Sequence, residues 1–359
     1  MADPRVARLR LIRSAGIGPV TYRQLIARFG DAEAAIDALP SLAARGGGRP
    51  PAVADAAVAE REIARVEQLG ARHLFIGDPA YPAALAELDN APVVMTVRGD
   101  TALMARTVVA LVGARNASAA ACRFARGLAA ELGREGVAIV SGLARGLDTA
   151  AHQGSLATGT IAVIASGIDI AYPPENRGLQ EEIASHGLLI AEQPPGTEPL
   201  ARHFPHRNRI IAGLASGTVV VEAAPRSGSL ITARLAAAAG RDVMAVPGSP
   251  LDPRAQGCNQ LIRDGAVLIQ SASDVLETIR PIDARMVREP GAGFAASPPA
   301  DPDDRDRRAI VALLGPAPVA TDELVRQSAL PPAIVATVLL ELELAGRLER
   351  HAGARVSLA

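Results

Sequence analysis

At 359 residues, 49% of them hydrophobic, the chain is long enough for two or three domains with a sizeable core. Its net charge of -1 lacks the global basic footprint of many nucleic-acid binders, and all 37 basic residues are arginine, so no Gly-Lys-Ser/Thr phosphate loop can exist. Cys122 and Cys258 lie in separate segments without metal-ligand spacing, which argues against a disulfide framework or a zinc site and predicts reduced thiols. The charged start Met1-Ala-Asp-Pro-Arg has no signal-peptide character, and no run of about eighteen apolar residues occurs, so the expected location is the cytoplasm.

In chain order, the first seventy or so residues read as short helices. Ala15-Gly-Ile-Gly-Pro-Val-Thr-Tyr-Arg-Gln-Leu-Ile-Ala-Arg-Phe29 opens on a glycine turn and then spaces Val20, Leu25, Ile26 and Phe29 as a helix does. It resembles a helix-hairpin-helix unit whose turn approaches a phosphate backbone, although a helical hairpin used only for packing fits equally well. Arg45-Gly-Gly-Gly-Arg-Pro-Pro51 is predicted to be a flexible loop.

From Thr107 the pattern becomes strand, helix, strand. The apolar runs 107–113, 137–141, 160–165, 188–191, 218–222 and 242–246 alternate with helical segments, the first of them near Ala117 to Glu135. Continuous apolar strands between helices indicate a parallel sheet covered on both faces, hence a Rossmann-like doubly wound domain running to about Ile279. Ligands in such sheets gather at the carboxyl ends of the strands, which places the turns at Gly113, Ser141, Ser166 and Glu222 together. A Pro/Gly/Ala/Asp-rich linker, expected to be mobile, follows to about Asp304. Three helices (306–314, 321–328, 331–345) and a hairpin-like tail over 347–358 then read as a winged helix-turn-helix. The expected domains are a helical head over 1–72, the Rossmann-like domain over 73–280, the linker over 281–304 and the winged helix over 305–359.

Two stretches carry the binding chemistry. Ser141-Gly-Leu-Ala-Arg-Gly-Leu-Asp-Thr-Ala-Ala-His152 and His203-Phe-Pro-His-Arg-Asn-Arg-Ile-Ile-Ala-Gly-Leu214 both read as loops feeding helix starts, with backbone N–H groups and arginines available to hold an extended anion. From Pro199 to Leu235, five arginines oppose the single acid Glu222. In the first turn of the sheet Ser118 or Asn116 is placed to cap the next helix, with Arg115 beside any anion at its N-terminus. At the second turn, glycines permit close approach, Ser141 offers a hydroxyl, and Arg145 supplies a fork for phosphate, a reading favoured over plain packing. His152 follows Asp148 by one helical turn, but with no nucleophile or metal set nearby a buried, hydrogen-bonded histidine is favoured over a general base. Phe204, rare in a chain with 2% aromatic residues, sits among arginines and suits base stacking slightly better than plugging the sheet edge. Arg226-Ser-Gly-Ser-Leu-Ile-Thr232, at another strand end, adds hydroxyls and backbone donors and is expected to complete a four-loop pocket.

Ser141 to His152, Gly167-Ile-Asp-Ile-Ala-Tyr-Pro-Pro-Glu-Asn176, Phe204 to Leu214, Ser227-Gly-Ser-Leu-Ile-Thr232 and Val246-Pro-Gly248 occur in the order seen in the DNA-processing protein A (DprA/Smf) family, which the chain resembles from about Phe75 to Glu277. The resemblance implies a bacterial cytoplasmic protein that binds single-stranded DNA, forms a homodimer through its Rossmann-like domain, and helps load a RecA-type recombinase in natural transformation. No paired acid, metal cluster or activated nucleophile stands out among the residues, so no catalysis, no cofactor and no membrane association are expected. The family's binding loops carry over to Arg115, Ser141, Gly142, Arg145, Phe204, Arg207, Asn208, Arg209, Ser227 and Ser229. Members of the family often use lysine in the pocket, so arginine must supply that charge here. The rival reading is a hydrolase of nucleotide derivatives, but such enzymes typically carry Pro-Gly-Gly-x-Gly-Thr followed by glutamate where this chain has Arg226 to Thr232. A sequence-specific regulator is disfavoured because the third helix of the tail, from Pro331 to Ala345, has no basic or amide side chain. Leu340 and Leu344 give that helix a second apolar face, expected to meet a protein partner, another subunit or the Rossmann-like domain.

Overall fold

The computed structural model describes residues 3–279, 301–351 and 353–359. Most of the predicted linker lies outside the described residues. Contacts divide the chain into two units: the residues before Glu62 together with the C-terminal segment from residue 301, and the residues from Glu62 to Ile279.

The head contains α1 (Pro4–Arg13), α2 (Pro19–Phe29) and α3 (Ala32–Arg45), followed by α4 (Ala56–Gln68), which crosses into the second unit. Local chemistry fixes these starts. Asp3 and Asp31 accept the amides of Arg5 and Ala34 at 2.9 Å each, and Pro19 opens α2 where its missing N–H costs nothing.

The second unit continues with β1 (Arg72–Phe75), α5 (Ala83–Ala86), β2 (Val94–Gly99), β3 (Val108–Val112), α6 (Ala119–Arg134), β4 (Ala138–Ser141), α7 (Leu147–Ser155) and β5 (Thr160–Ile164). Then come α8 (Arg177–His186), β6 (Leu188–Ala191), α9 (His203–Leu214), β7 (Gly217–Val220), α10 (Gly228–Ala238), β8 (Asp242–Ala245), α11 (Gln256–Arg263), β9 (Val267–Leu268) and α12 (Ala272–Ile279). The sheet order is β1-β2-β6-β5-β4-β3-β7-β8-β9. Strands from β6 through β9 run parallel, and an antiparallel pair, β2 against β6 and β1 against β2, extends one edge. The core follows the two-residue period of a strand. Along β3, Val108, Ala110 and Val112 face α9 and α10, whereas Val109 and Leu111 face α6, α7 and α12. This is the expected Rossmann-like, doubly wound architecture with helices on both faces, plus the antiparallel edge.

The tail contains α13 (Asp304–Leu313), β10 (Val319–Ala320), α14 (Thr321–Ser328), α15 (Pro332–Leu344), β11 (Leu348–His351) and β12 (Arg355–Leu358), a winged helix. Asp303 and Asp306 form a capping box at the start of α13. Ile310, Leu324, Val335, Val338, Leu339 and Leu342 make its core. Among the described residues no single helix is long and apolar enough to cross a membrane.

Two expectations are corrected here. The second apolar face of α15 is covered by neither an outside partner nor the Rossmann-like domain: it packs on α3 of the head, with Leu340 and Leu344 buried. The Gly46-Gly-Gly48 run is part of that seat. A Cβ on Gly46 would lie 2.1 Å from the carbonyl oxygen of Glu341, and one on Gly48 would lie 2.2 Å from that of Ala345. The glycines permit a close approach of backbones, so the segment read as a flexible loop is a packing surface.

Candidate nucleic-acid interface

The strand order reverses its direction of growth between β3 and β7, and the loops after β3, β4 and β7 converge there with the first turn of α9. The result is an open cavity of about 500 Å³ lined by Arg115, Phe204, Arg207, Asn208 and Arg226 to Ser229, among others. A narrower slot, lined by Gly142, Arg145, Tyr172, Pro173 and Phe204, adjoins it and shares Arg115 and Arg207.

Phe204 is a correction. The segment 203–214 is helical from its first residue, so the ring projects from the opening turn of α9 instead of a loop. Pro205 is tolerated in that turn, where helix amides have no intrahelical acceptor. The ring is half-buried between two neighbours: Arg115 stands over it with Cζ 5.0 Å from the centroid, and the exposed Tyr172 ring lies 5.7 Å away, tilted by 58°. A guanidinium at that distance has a favourable electrostatic interaction with the aromatic face.

Arg207, one turn later, is buried with 7% exposure, and its Nε finds no hydrogen-bond partner among the described residues. Burial pushes its guanidinium down to about 10; the charge of Asp148 opposes that shift and Arg115 adds to it. Asp148 is the countercharge, its own carboxyl held above the usual range by burial and drawn back by Arg207. Removing one member of such a buried pair leaves the other uncompensated.

Three of the backbone donors expected in the Ser141 turn are already engaged. Asp148 accepts the amides of Gly142 at 3.1 Å and Ala144 at 3.3 Å, while Nε2 of His152 accepts that of Leu143 at 3.3 Å. Nδ1 of His152 lies 2.7 Å from the Thr160 hydroxyl. The ring is fully buried, and that desolvation, with Arg207 second, lowers it to about 3, so it is a neutral structural histidine. At the start of α6 it is Ser118, not Asn116, that caps, accepting from Ala121 at 3.1 Å. The Ser118 amide in turn donates to Glu222 Oε2 at 2.7 Å, and Arg254 lies 3.3 Å from the other oxygen. Side chains of the protein thus engage amides in the turns after β3 and β4, where a Rossmann turn can offer them to phosphate, while the start of α10 also faces the groove.

Arg115, Gly142, Arg145, Phe204, Arg207, Asn208, Ser227 and Ser229 all line the groove or its slot. Ser227 caps α10 and its hydroxyl lies 2.8 Å from that of Ser229. Arg145 is exposed and paired with Glu175. The Ser141 hydroxyl is fully buried and donates to the Leu111 carbonyl at 2.6 Å. Arg209 turns away into a 2.5 Å ion pair with Glu192. Tyr172 and Arg226 also line the site, beyond the predicted contacts. Arg226 has a φ of 74°, a left-handed conformation uncommon for a side chain other than glycine and costing roughly 1 kcal/mol or more. Among the described residues Arg226 and Arg115 form no ion pair.

Comparison with known proteins places this geometry. Residues 72–280 match the sequence profile of DNA recombination-mediator protein A, flanked by matches to a DprA-like N-terminal helix-hairpin-helix domain over 2–64 and a DprA winged-helix domain over 294–354. The chain belongs to the DNA recombination-mediator protein A (DprA/Smf) family. The DNA processing protein DprA of Streptococcus pneumoniae is 47% identical over 201 residues, 55% of this chain and 71% of the relative. A crystal structure of that species' protein superposes with a TM-score of 0.60 at 38% identity, covering 72% of this chain and 86% of the other. The DNA processing protein A of Helicobacter pylori, studied for its single-stranded DNA binding mode, superposes with a TM-score of 0.54 at 29% identity over 58% of this chain and 95% of its own.

Proposed function

We propose that this family member binds single-stranded DNA without strong sequence preference in the groove between the β3, β4 and β7 loops. One observation carries the reading: with the Gly142, Leu143, Ala144 and Ser118 amides engaged by Asp148, His152 and Glu222, the groove offers Arg115, Arg207 and Arg226 side chains and an aromatic ring. Guanidinium groups spaced along an open groove suit successive phosphates, and the Phe204 ring suits an unstacked base, which a duplex does not present. The Helicobacter pylori relative, described for single-stranded DNA binding, supports the same ligand.

The role that follows is protection of incoming DNA and loading of a RecA-type recombinase during natural transformation, by a homodimer in the cytoplasm. Two linked grooves on one strand would raise avidity without any new contact. The reading is binding without catalysis. A nucleotide hydrolase is disfavoured because the acids beside these loops are already engaged, Asp148 by the Gly142 and Ala144 amides and Glu222 by the Ser118 amide and Arg254.

The test is a salt-titrated comparison of single-strand and duplex affinity. The single strand is expected to bind more tightly, with Arg115→Ala reducing the log-log salt slope by about 0.7 for one lost single-strand phosphate contact. Equal affinity for both forms at matched salt would sink the proposal.

A further inference from the structure

We infer that the first unit carries a second phosphate-binding site, where the tail meets the head. Beside the packing of α15 on α3 lies an open cavity of about 360 Å³ whose wall includes Arg45 at the end of α3, Arg307 and Arg308 on α13, and Arg347 before β11. One carboxylate, Glu341, lies in that wall. It is 1% exposed and is satisfied by Arg307, which donates to its two oxygens at 2.8 and 3.0 Å; Arg45 reaches it at 4.0 Å. At the margin Asp301 takes Arg45 at 3.2 Å and also pairs with Arg28, and Asp304 takes Arg307 at 3.4 Å. Arg347 spends one donor on the Gly46 carbonyl at 3.0 Å. Arg308 is exposed and makes no hydrogen bond or ion pair among the described residues.

Four guanidinium groups therefore share one cavity whose wall holds a single buried acid, and among the described residues only Arg307 and Arg45 reach that acid. The convergence is imposed by packing: the close approach of Gly46 and Gly48 to the end of α15 brings Arg45 beside the tail's arginines, whatever their mutual repulsion. A tetrahedral oxyanion relieves that repulsion and accepts from planar forks in pairs, the geometry guanidinium matches best. The ligand is thus a phosphate group, supplied by a DNA strand or by a free nucleotide. This site is independent of the groove, and each proposal fails separately.

The test uses the full chain and arginine modification by phenylglyoxal, read at individual residues by mass spectrometry. Arg308 and Arg347 are expected to be protected severalfold by inorganic phosphate, by ATP or by an oligothymidine strand. Protection by the strand at limiting concentration assigns a strand contact, and protection by ATP alone assigns a nucleotide site. Unchanged modification of both residues with all three probes overturns the inference, while strand protection of Arg115 in the same sample reports on the groove alone. Arg308→Glu, which breaks no contact in the described structure, should abolish the remaining Arg347 protection; retained protection would also overturn it.

Discussion

Gly142 makes the space in which the Arg207 guanidinium lies: a Cβ at Gly142 would fall 1.4 Å from Arg207 Nη1. Gly142 is not in the left-handed region, so alanine is acceptable to the backbone there and acts through the guanidinium alone. Gly142→Ala is expected to displace Arg207 and weaken single-strand binding roughly tenfold or more, the worth of one charge-assisted contact. Filter binding or fluorescence anisotropy at fixed salt checks this, and wild-type affinity would remove Arg207 from the site.

Glu175 holds Arg145 at the mouth of the slot. The Arg145 hydrogen bond keeps the Glu175 carboxyl below its usual range, so the pair persists at neutral pH and a strand must compete for the guanidinium. Glu175→Gln should free Arg145, tighten single-strand binding a few-fold and steepen its salt dependence. If affinity and slope are both unmoved, Arg145 is a surface residue and not a phosphate contact.

The parallel sheet was legible because its strands are continuous apolar runs, a signal that survives without any knowledge of neighbours. The edge strands β1 and β2 are not among the predicted elements, although Val93-Val-Met-Thr-Val97 is as continuous an apolar run as the others; only the short α5 separates them, so the strand-helix alternation does not mark them. In the site, the sequence order of glycines, arginines and Phe204 located the groove, but not which donors remain available. Asp148 and His152 reach back to the Ser141 turn from α7, and Glu222 accepts the Ser118 amide from 104 residues away, choices set by side-chain direction after folding. The Phe204 segment read as a loop because Arg202 and His203 supply no capping signal and Pro205 follows at once. The cover of α15 was out of reach for the same reason: Gly46 and Glu341 meet across almost the whole chain.

His152 gives the second unit an acid liability. Its folded value is depressed from 6.5 to about 3 by burial, so the unfolded chain takes up the proton first as pH falls. Its contribution is complete above pH 6.5 and is lost from there down to about 3, by up to about 1.4 kcal/mol per pH unit. Asp148, raised by burial, works in the opposite sense in the carboxylate range, because the folded state protonates it first. Chemical denaturation should therefore show stability falling as pH drops below 6.5, with the slope reduced in His152→Gln. Parallel curves for the two proteins would contradict a neutral buried imidazole.

The seam between head and tail makes the last prediction. A Cβ on Gly48 would meet the carbonyl oxygen of Ala345 at 2.2 Å and its Cα at 2.6 Å, and backbone at the end of a helix cannot yield as a flexible side chain does. Gly48→Ala is expected to push α15 off α3 and destabilise the first unit by about 1–3 kcal/mol, the usual cost of overpacking. It should also expose Leu340 and Leu344, detected as increased binding of a hydrophobic dye. Affinity for a short oligothymidine held in the groove should stay at the wild-type value, because the groove residues belong to the other unit. A chain ending near Pro302 should behave alike, keeping groove affinity while leaving the α3 face uncovered. An unchanged melting profile for Gly48→Ala would mean that α15 does not pack on the glycine run, and a large loss of short-strand affinity in either variant would mean that the first unit contributes directly to the groove.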